Sequence, residues 1–204
     1  MVKSQMKHLR PLVLGIGLLS AMPGMSSEVE HYIGLQLGVA KPTATSEWSV
    51  DPLTTGIDSD YGFQPGVVLA AIHHDDEHVW RYSAGLMRGK WSNACILELA
   101  FGVDYLLSVR NWQAYVGPRA GVLRFENDHT ESSARSYLAG LQLGVLISPS
   151  ALPNALEAIG GPTLELYGRR VRTNATADRQ VGGQTHQVNL ERIDALGVSL
   201  NWRF

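Results

Sequence analysis

The sequence predicts an all-β fold: a closed antiparallel up-and-down transmembrane β-barrel of about eight strands, following an N-terminal signal peptide. Three observations carry this expectation. Apolar residues recur at every second position, as in GLQLGV, which occurs at Gly34 to Val39 and again at Gly140 to Val145. Successive strand side chains point to opposite faces, so Leu35, Leu37 and Val39 share one face and Gly34, Gln36 and Gly38 the other. The less apolar faces hold Gly, Ala, Ser and Gln with a few charges, and aromatic residues gather near the ends of the runs. No third copy of GLQLGV follows at a regular spacing, which sets aside a solenoid with repeats of roughly 20 to 50 residues.

The first segment, MVKSQMKHLRPLVLGIGLLSAMPGMSS, places Lys3, Lys7 and Arg10 before an apolar run from Leu12 to Leu19 and then small residues. That is the layout of a secretory leader. Residues 1–26 are read as the signal peptide, with cleavage after Ser26 and the Ala21 region as a competing site, and residues 27–204 as a single barrel domain. The apolar run is too short for the roughly 20 residues that a helical span needs. Within the 204 residues, 45% are hydrophobic and no later stretch is continuously apolar enough for a membrane helix. Without the leader, 14 basic residues face 19 acidic ones, which speaks against a nucleic-acid partner. Cys95, the one cysteine, can form no internal disulfide.

The strands follow in order. The first runs from Tyr32 to Ala40. The second, Tyr61 to His73, sets Tyr61, Phe63, Val67, Leu69 and Ala71 on one face. In the third, Trp80, Tyr82, Ala84 and Leu86 oppose Arg81, Ser83, Gly85 and Met87. The fourth sets Leu97, Leu99, Phe101, Val103 and Tyr105 against Glu98, Ala100, Gly102 and Asp104. In the fifth, Trp112, Ala114, Val116, Ala120 and Val122 oppose Tyr115, Gly117, Arg119 and Gly121, with Pro118 deleting one ladder donor. Tyr137 to Ile147 is the sixth and Thr163 to Arg172 the seventh. The eighth closes the chain, with Leu196, Val198, Leu200, Trp202 and Phe204 on one face. A segment between the sixth and seventh, around Ala155 to Ile159, has room for a helical turn.

Strands of about 10 residues suit a tilted bilayer crossing. Connections alternate between long polar ones, Pro42 to Asp60, Glu126 to Arg135 and Thr173 to Glu191, and short ones, apart from Pro149 to Pro162. Outer-membrane barrels have this asymmetry, with short periplasmic turns and long outer loops. A soluble carrier barrel would need a strongly hydrated exterior, yet beyond the leader the chain has only Lys41 and Lys90 as lysines. The apolar faces therefore point outward to lipid and the small and charged ones inward. Trp80, Tyr82, Tyr105, Trp112, Trp202 and Phe204 then form an interface cluster at the turn end, with Tyr61, Phe63 and Tyr137 at the other.

The ending LGVSLNWRF, with Leu200, Trp202 and Phe204 at alternate positions up to the terminus, resembles the C-terminal assembly signal of Gram-negative outer-membrane barrels. Together with the leader, the chain resembles a small OmpA/OmpX-type barrel of the opacity-protein kind, without a peptidoglycan-binding domain. The resemblance implies residence in the outer membrane, contact with its lipid and lipopolysaccharide, recognition by the barrel-assembly machinery, and a possible host or envelope ligand at the outer loops.

Charges facing a narrow lumen need partners. Setting Tyr105 opposite Trp112 across the short fourth connection puts Glu98 opposite Arg119, an expected structural ion pair that fills the lumen, and a gated narrow pore is the weaker alternative. HHDDEH, from His73 to His78, reads as a solvated turn and not as a metal site, and no cofactor is expected. A lipid A deacylase-type enzyme would carry a His-x-Ser pair near a carboxylate; no histidine here has Ser two places on, so no catalytic residue is named. The expected role is a structural or surface-interaction barrel working through its outer loops.

Overall fold

The computed structural model describes residues 29–204 except 50–54, 59, 76, 92–93, 129, 153–155 and 157–158, so the leader lies outside the described residues. Among the described residues nine strands form one antiparallel sheet: β1 (Val29–Trp48), β2 (Thr55–Asp58), β3 (Gly62–His74), β4 (Val79–Trp91), β5 (Ala94–Val109), β6 (Trp112–Asn127), β7 (Ser132–Ile147), β8 (Thr163–Val181) and β9 (Gln184–Arg203). Each long strand pairs with the next, and β1 pairs with both β3 and β9, which closes a ring of eight long strands. The short β2 pairs with β1 at Thr43 to Ser46, above the point where β3 leaves it. No described helix is long and apolar enough to cross a membrane.

The alternation resolves as apolar-out. Leu35 and Leu143 are 56% and 62% exposed, whereas Gln36 and Gln142, each one residue away, are 2% and 1% exposed. Both copies of GLQLGV thus turn leucines outward and glutamines into the lumen. Leu37, Val39, Phe101, Val116, Leu141, Leu166, Leu196 and Val198 extend the outward apolar belt around the ring. A continuous apolar belt of this kind is stable against hydrocarbon and unstable against water.

The strands exceed the expected length of about 10 residues, reaching 20 in β1 and β9. At roughly 3.3 Å per residue and about 40° of tilt, twenty residues rise roughly 50 Å, twice the ~25 Å apolar band of an outer-membrane barrel. The extra length lies in segments expected to be loops. Pro42 to Asp60 contributes the end of β1 and all of β2, Glu126 to Arg135 mostly continues β6 and β7, and Thr173 to Glu191 is a β8–β9 hairpin. Gly182 and Gly183, at φ of 61° and 80°, make that hairpin turn, a backbone that favours glycine.

The polarity of the alternation inverts at one level, and this explains the difference. On β1, Leu35, Leu37 and Val39 face out; beyond them Ala40, Pro42 and Ala44 are buried inside while Lys41, Thr43 and Thr45 face out. On β9, Leu196 and Val198 face out, whereas Val188, Leu190 and Ile193 are buried within. Hydrocarbon surrounds the lower stretch and water the upper one, so the same barrel wall must turn its apolar side from outside to inside where it leaves the membrane. Bulges accompany this change, between Thr43 and Ala44 in the β1–β9 ladder and between Arg172 and Ala175 in the β8–β9 ladder.

The connection between β7 and β8 holds a 3₁₀ turn, Pro149–Ala151, and the helical turn expected around Ala155 to Ile159 lies largely outside the described residues. Ile159 is anchored beneath the barrel wall, its carbonyl accepting from Trp202 Nε1 at 2.8 Å.

Candidate functional site

The lumen is the part of the molecule where chemistry concentrates, and it is layered along the barrel axis. At the turn end a mouth of about 490 Å³ opens between Glu30, Tyr32, Ser108, Trp112 and Arg203, with Arg81 as its floor. Arg203 Nη1 lies 2.5 Å from Glu30 Oε1 at its side.

The first lumen layer is a network around Glu165, which is fully buried. Arg81 donates to both its oxygens, at 2.9 and 3.0 Å, and to Asp104 at 3.4 Å. Tyr115 donates its hydroxyl to Glu165 at 2.5 Å and Asn201 its amide at 3.1 Å. The guanidinium of Arg81 also sits 5.0 Å from the centre of the Tyr115 ring. These groups come from β4, β5, β6, β8 and β9, so the network ties together strands from around the wall. Its geometry explains how charges persist in a low-dielectric interior: each carboxylate oxygen of Glu165 has a cation and a neutral donor.

The second layer pairs Arg169 with Glu98, both buried, and Arg169 also donates to Gln64 at 2.8 Å. Here the sequence expectation is corrected: the ion-pair partner of Glu98 is Arg169 of β8, across the lumen, and not Arg119. The β5–β6 register sets Leu123 opposite Glu98 and Gly102 opposite Arg119. The hairpin turns at Arg110 and Asn111 with Val109 opposite Trp112, a tighter turn than Tyr105 opposite Trp112 requires. Arg119 is nevertheless inside, 3% exposed, between the two layers. Among the described residues, three arginines and three carboxylates thus share the interior.

Above these lies an apolar layer. Trp91, Ile96, Leu123, Phe125, Leu138, Val171, Leu190 and Ile193 pack together as one buried cluster. Trp91 Nε1 donates to the Ala40 carbonyl at 2.9 Å, which satisfies its polar atom within an otherwise dry core. Sequence reading missed this layer; the signal that reveals it is the shift of apolar residues to the other parity, as in Ile96 beside Leu97.

The aromatic residues read as an interface cluster sit at the turn end of the strands. Trp80 and Tyr105 contact edge to face at 5.2 Å, Trp112 and Phe204 are exposed, and Tyr82 and Trp202 are partly covered. Of the terminal residues, Leu200 and Trp202 face out opposite Leu35 and Ile33 of β1, and the Phe204 amide donates to the His31 carbonyl at 3.1 Å. The C-terminus therefore zips the barrel shut.

One pair not singled out from sequence is Ser46 and His186, 2.7 Å apart between Oγ and Nε2 in the upper part of the barrel. The His186 ring stacks on Trp48 at 4.4 Å. Among the described residues no carboxylate engages its other nitrogen, the place of the third member in a catalytic triad.

No protein-family model matches the chain, and no curated protein is similar to it. Solved structures are. The crystal structure of neisserial surface protein A matches with a TM-score of 0.50 at 16% identity, over 84% of this chain and 97% of that one. The outer membrane protein OmpT of Vibrio cholerae matches at 0.30 and 13%, over 87% of this chain and 56% of that one. The attachment invasion locus protein Ail of Yersinia pestis matches at 0.25 and 10%, over 85% of this chain and 99% of that one. The ring of eight long strands, its outward apolar belt and the likeness to neisserial surface protein A together give this chain the fold of the small eight-stranded outer-membrane β-barrels, of the OmpA/OmpX type.

Proposed function

We propose that the chain is a non-enzymatic protein of the outer membrane whose barrel is closed to solutes and whose working surface is the extended loop-end sheet. The observation that carries this reading is the stacking of three fills in one narrow lumen: the Arg81–Glu165 network, the Glu98–Arg169 pair and the dry layer around Trp91. An eight-stranded barrel has an interior just wide enough for side chains, so each layer alone leaves little room for a conducting path. On this reading residues 1–26 export the chain, Leu200, Trp202 and Phe204 present it to the assembly machinery, and Trp80, Tyr82, Tyr105, Trp112, Trp202 and Phe204 anchor it at the inner interface. The upper strands carry β1, β2, β8 and β9 clear of the bilayer, where a host or envelope ligand meets them.

The test is single-channel recording on the full-length protein in planar bilayers. The expected record is flat under symmetric salt. Reproducible unitary openings by the unaltered protein would establish a pore and overturn the proposal. Orientation is checked in intact cells: with Cys95 replaced by Ser, a Gln184→Cys variant takes up an impermeant maleimide and an Arg110→Cys variant does not.

A further inference from the structure

Two features at the turn end are not needed to close a barrel, and both lead to the same mouth. Adjacent antiparallel strands need only a two-residue hairpin, and β5 and β6 are joined that way, through Arg110 and Asn111. Between β7 and β8 the chain instead takes residues 148–162. The Ser148 amide donates to the Asn111 carbonyl at 3.0 Å, which ties this long connection to the β5–β6 turn. Its described ends, Ser148, Pro149 and Gly161, form one side of the mouth of about 490 Å³. The second feature is the backbone of Arg110, at φ of 52°. That left-handed region is the place of glycine in a hairpin turn and is strained for a residue with a side chain. Asparagine tolerates it better, yet it is Arg110 and not Asn111 that adopts it, at the rim of the mouth.

Among the described residues the mouth is lined by three arginines and one carboxylate. Arg81 is engaged from below by Glu165 and Asp104, while Glu30 receives Arg203 at 2.5 Å and the Tyr32 hydroxyl at 2.7 Å. Arg110 makes no ion pair among the described residues and is the charge left over. Inside the rim the wall turns apolar: Ala70, Ile72 and Leu146 are buried there, with Ile72 opposite Arg81 and Leu146 opposite Glu165 in the ladders. We propose that the mouth is a binding pocket for an amphipathic carboxylate, a small organic acid or the C-terminal end of an extended peptide. Its carboxylate meets Arg110 at the rim and its apolar body lies on Ala70, Ile72 and Leu146. The volume is that of a small-molecule site, and a guanidinium holds a carboxylate through charge-assisted hydrogen bonds. Glu165 and Asp104, just beneath the floor, repel a second negative charge at depth, so the occupant carries its charge at the outer end only. Binding here goes beyond the proposed function and does not rest on a sealed lumen; the orientation given there sets only the compartment, the periplasm.

The experiment uses the full-length folded barrel in phosphatidylcholine nanodiscs. Acetyl-Ala-Ala-Leu and acetyl-leucine, each as the free acid and as the amide, are titrated by calorimetry, and the site is located by backbone amide chemical shifts. The peptide acid should bind at least about tenfold more tightly than its amide, as one charge-assisted hydrogen bond implies, with shifts at Ile72, Arg110 and Leu146. Arg110→Gly suits the backbone of the turn and so keeps the fold while removing the cation; it should abolish the preference for the acid. Arg110→Lys keeps the charge and should keep the preference. Binding of acetyl-leucine as tight as that of the peptide assigns the pocket to small acids, and tighter binding of the peptide assigns it to peptide ends. Equal binding of acid and amide, an undiminished preference in Arg110→Gly, shifts confined to the loop end, or no saturable binding below about 10 mM overturns the proposal. Unitary openings in bilayer recording would remove the sealed-lumen reading and leave this result untouched.

Discussion

Removing the Arg81 cation gives the sharpest test of the lumen network. In Arg81→Met the side chain keeps its approximate length but loses two bonds to Glu165, at 2.9 and 3.0 Å, and a longer one to Asp104 at 3.4 Å. Glu165 then retains only the Tyr115 hydroxyl and the Asn201 amide, as a fully buried anion facing Asp104 without the intervening charge. Removing one partner of a buried ion pair costs about 3–5 kcal/mol, because the other charge stays desolvated and unpaired. That is roughly two to three and a half powers of ten in the folded-to-unfolded ratio. Adding Glu165→Gln removes the orphaned charge while leaving an acceptor for Tyr115, so the double variant should regain about 1–3 kcal/mol relative to Arg81→Met. The assay is urea unfolding of the full-length barrel in lipid vesicles, followed by tryptophan fluorescence and extrapolated to water. A loss below about 1 kcal/mol for Arg81→Met, or a double variant weaker than the single one, would refute the reasoning.

The dry layer and the upper Ser–His pair give two more tests. Trp91 is 5% exposed and its ring occupies the space beside Gly62 and Gly89, so Trp91→Ala should cost about 3–5 kcal/mol in the same unfolding assay. It should nevertheless remain silent in bilayer recording, because the Arg81–Glu165 and Glu98–Arg169 layers stay in place below it; a conducting Trp91→Ala barrel would show that the apolar layer alone holds the lumen shut. For Ser46 and His186, Ser46→Ala should cost no more than about 1 kcal/mol, the worth of one hydrogen bond. Acyl-chain analysis of lipid A from cells expressing the protein should match the empty-vector control for the unaltered chain and for Ser46→Ala alike. Deacylation that depends on Ser46 would instead make the protein a hydrolase.

Much of the fold was legible because period-2 alternation is local. Leu35, Leu37 and Val39 must share a face whatever the rest of the chain does, and the same holds for Leu97, Leu99, Phe101 and Val103. The run from Thr173 to Glu191 reads as a loop for an equally local reason. In its first arm the buried positions, Ala175 and Ala177, are small and the outward ones, Asn174, Thr176 and Asp178, are polar, so the alternation is faint there; in its second arm Val188 and Leu190 are buried, and in both arms the pattern is reversed relative to the belt below. A reading keyed to apolar-outward strands passes over it. The site was less legible than the wall. The parity of Arg81, Glu98, Asp104, Arg119, Glu165, Arg169 and Arg203 marks all seven as inward; the first six are buried in the lumen, Arg203 stands exposed at the mouth beside Glu30, and parity says nothing about which arginine meets which carboxylate.

By itself, then, the sequence determined which side of each strand meets hydrocarbon, since that depends only on neighbours one and two residues away. The tertiary structure decided the rest. Closure of β1 onto β9 sets how far each strand is staggered against the next, and that stagger brings Arg169 from β8 to Glu98 on β5 and Arg81 from β4 to Glu165 on β8. Contacts across a lumen depend on the sum of every register around the ring, a quantity that no single stretch of chain encodes. The height at which water replaces lipid likewise emerges only once the strands stand side by side, when separate changes of parity on β1, β5 and β9 align into one boundary.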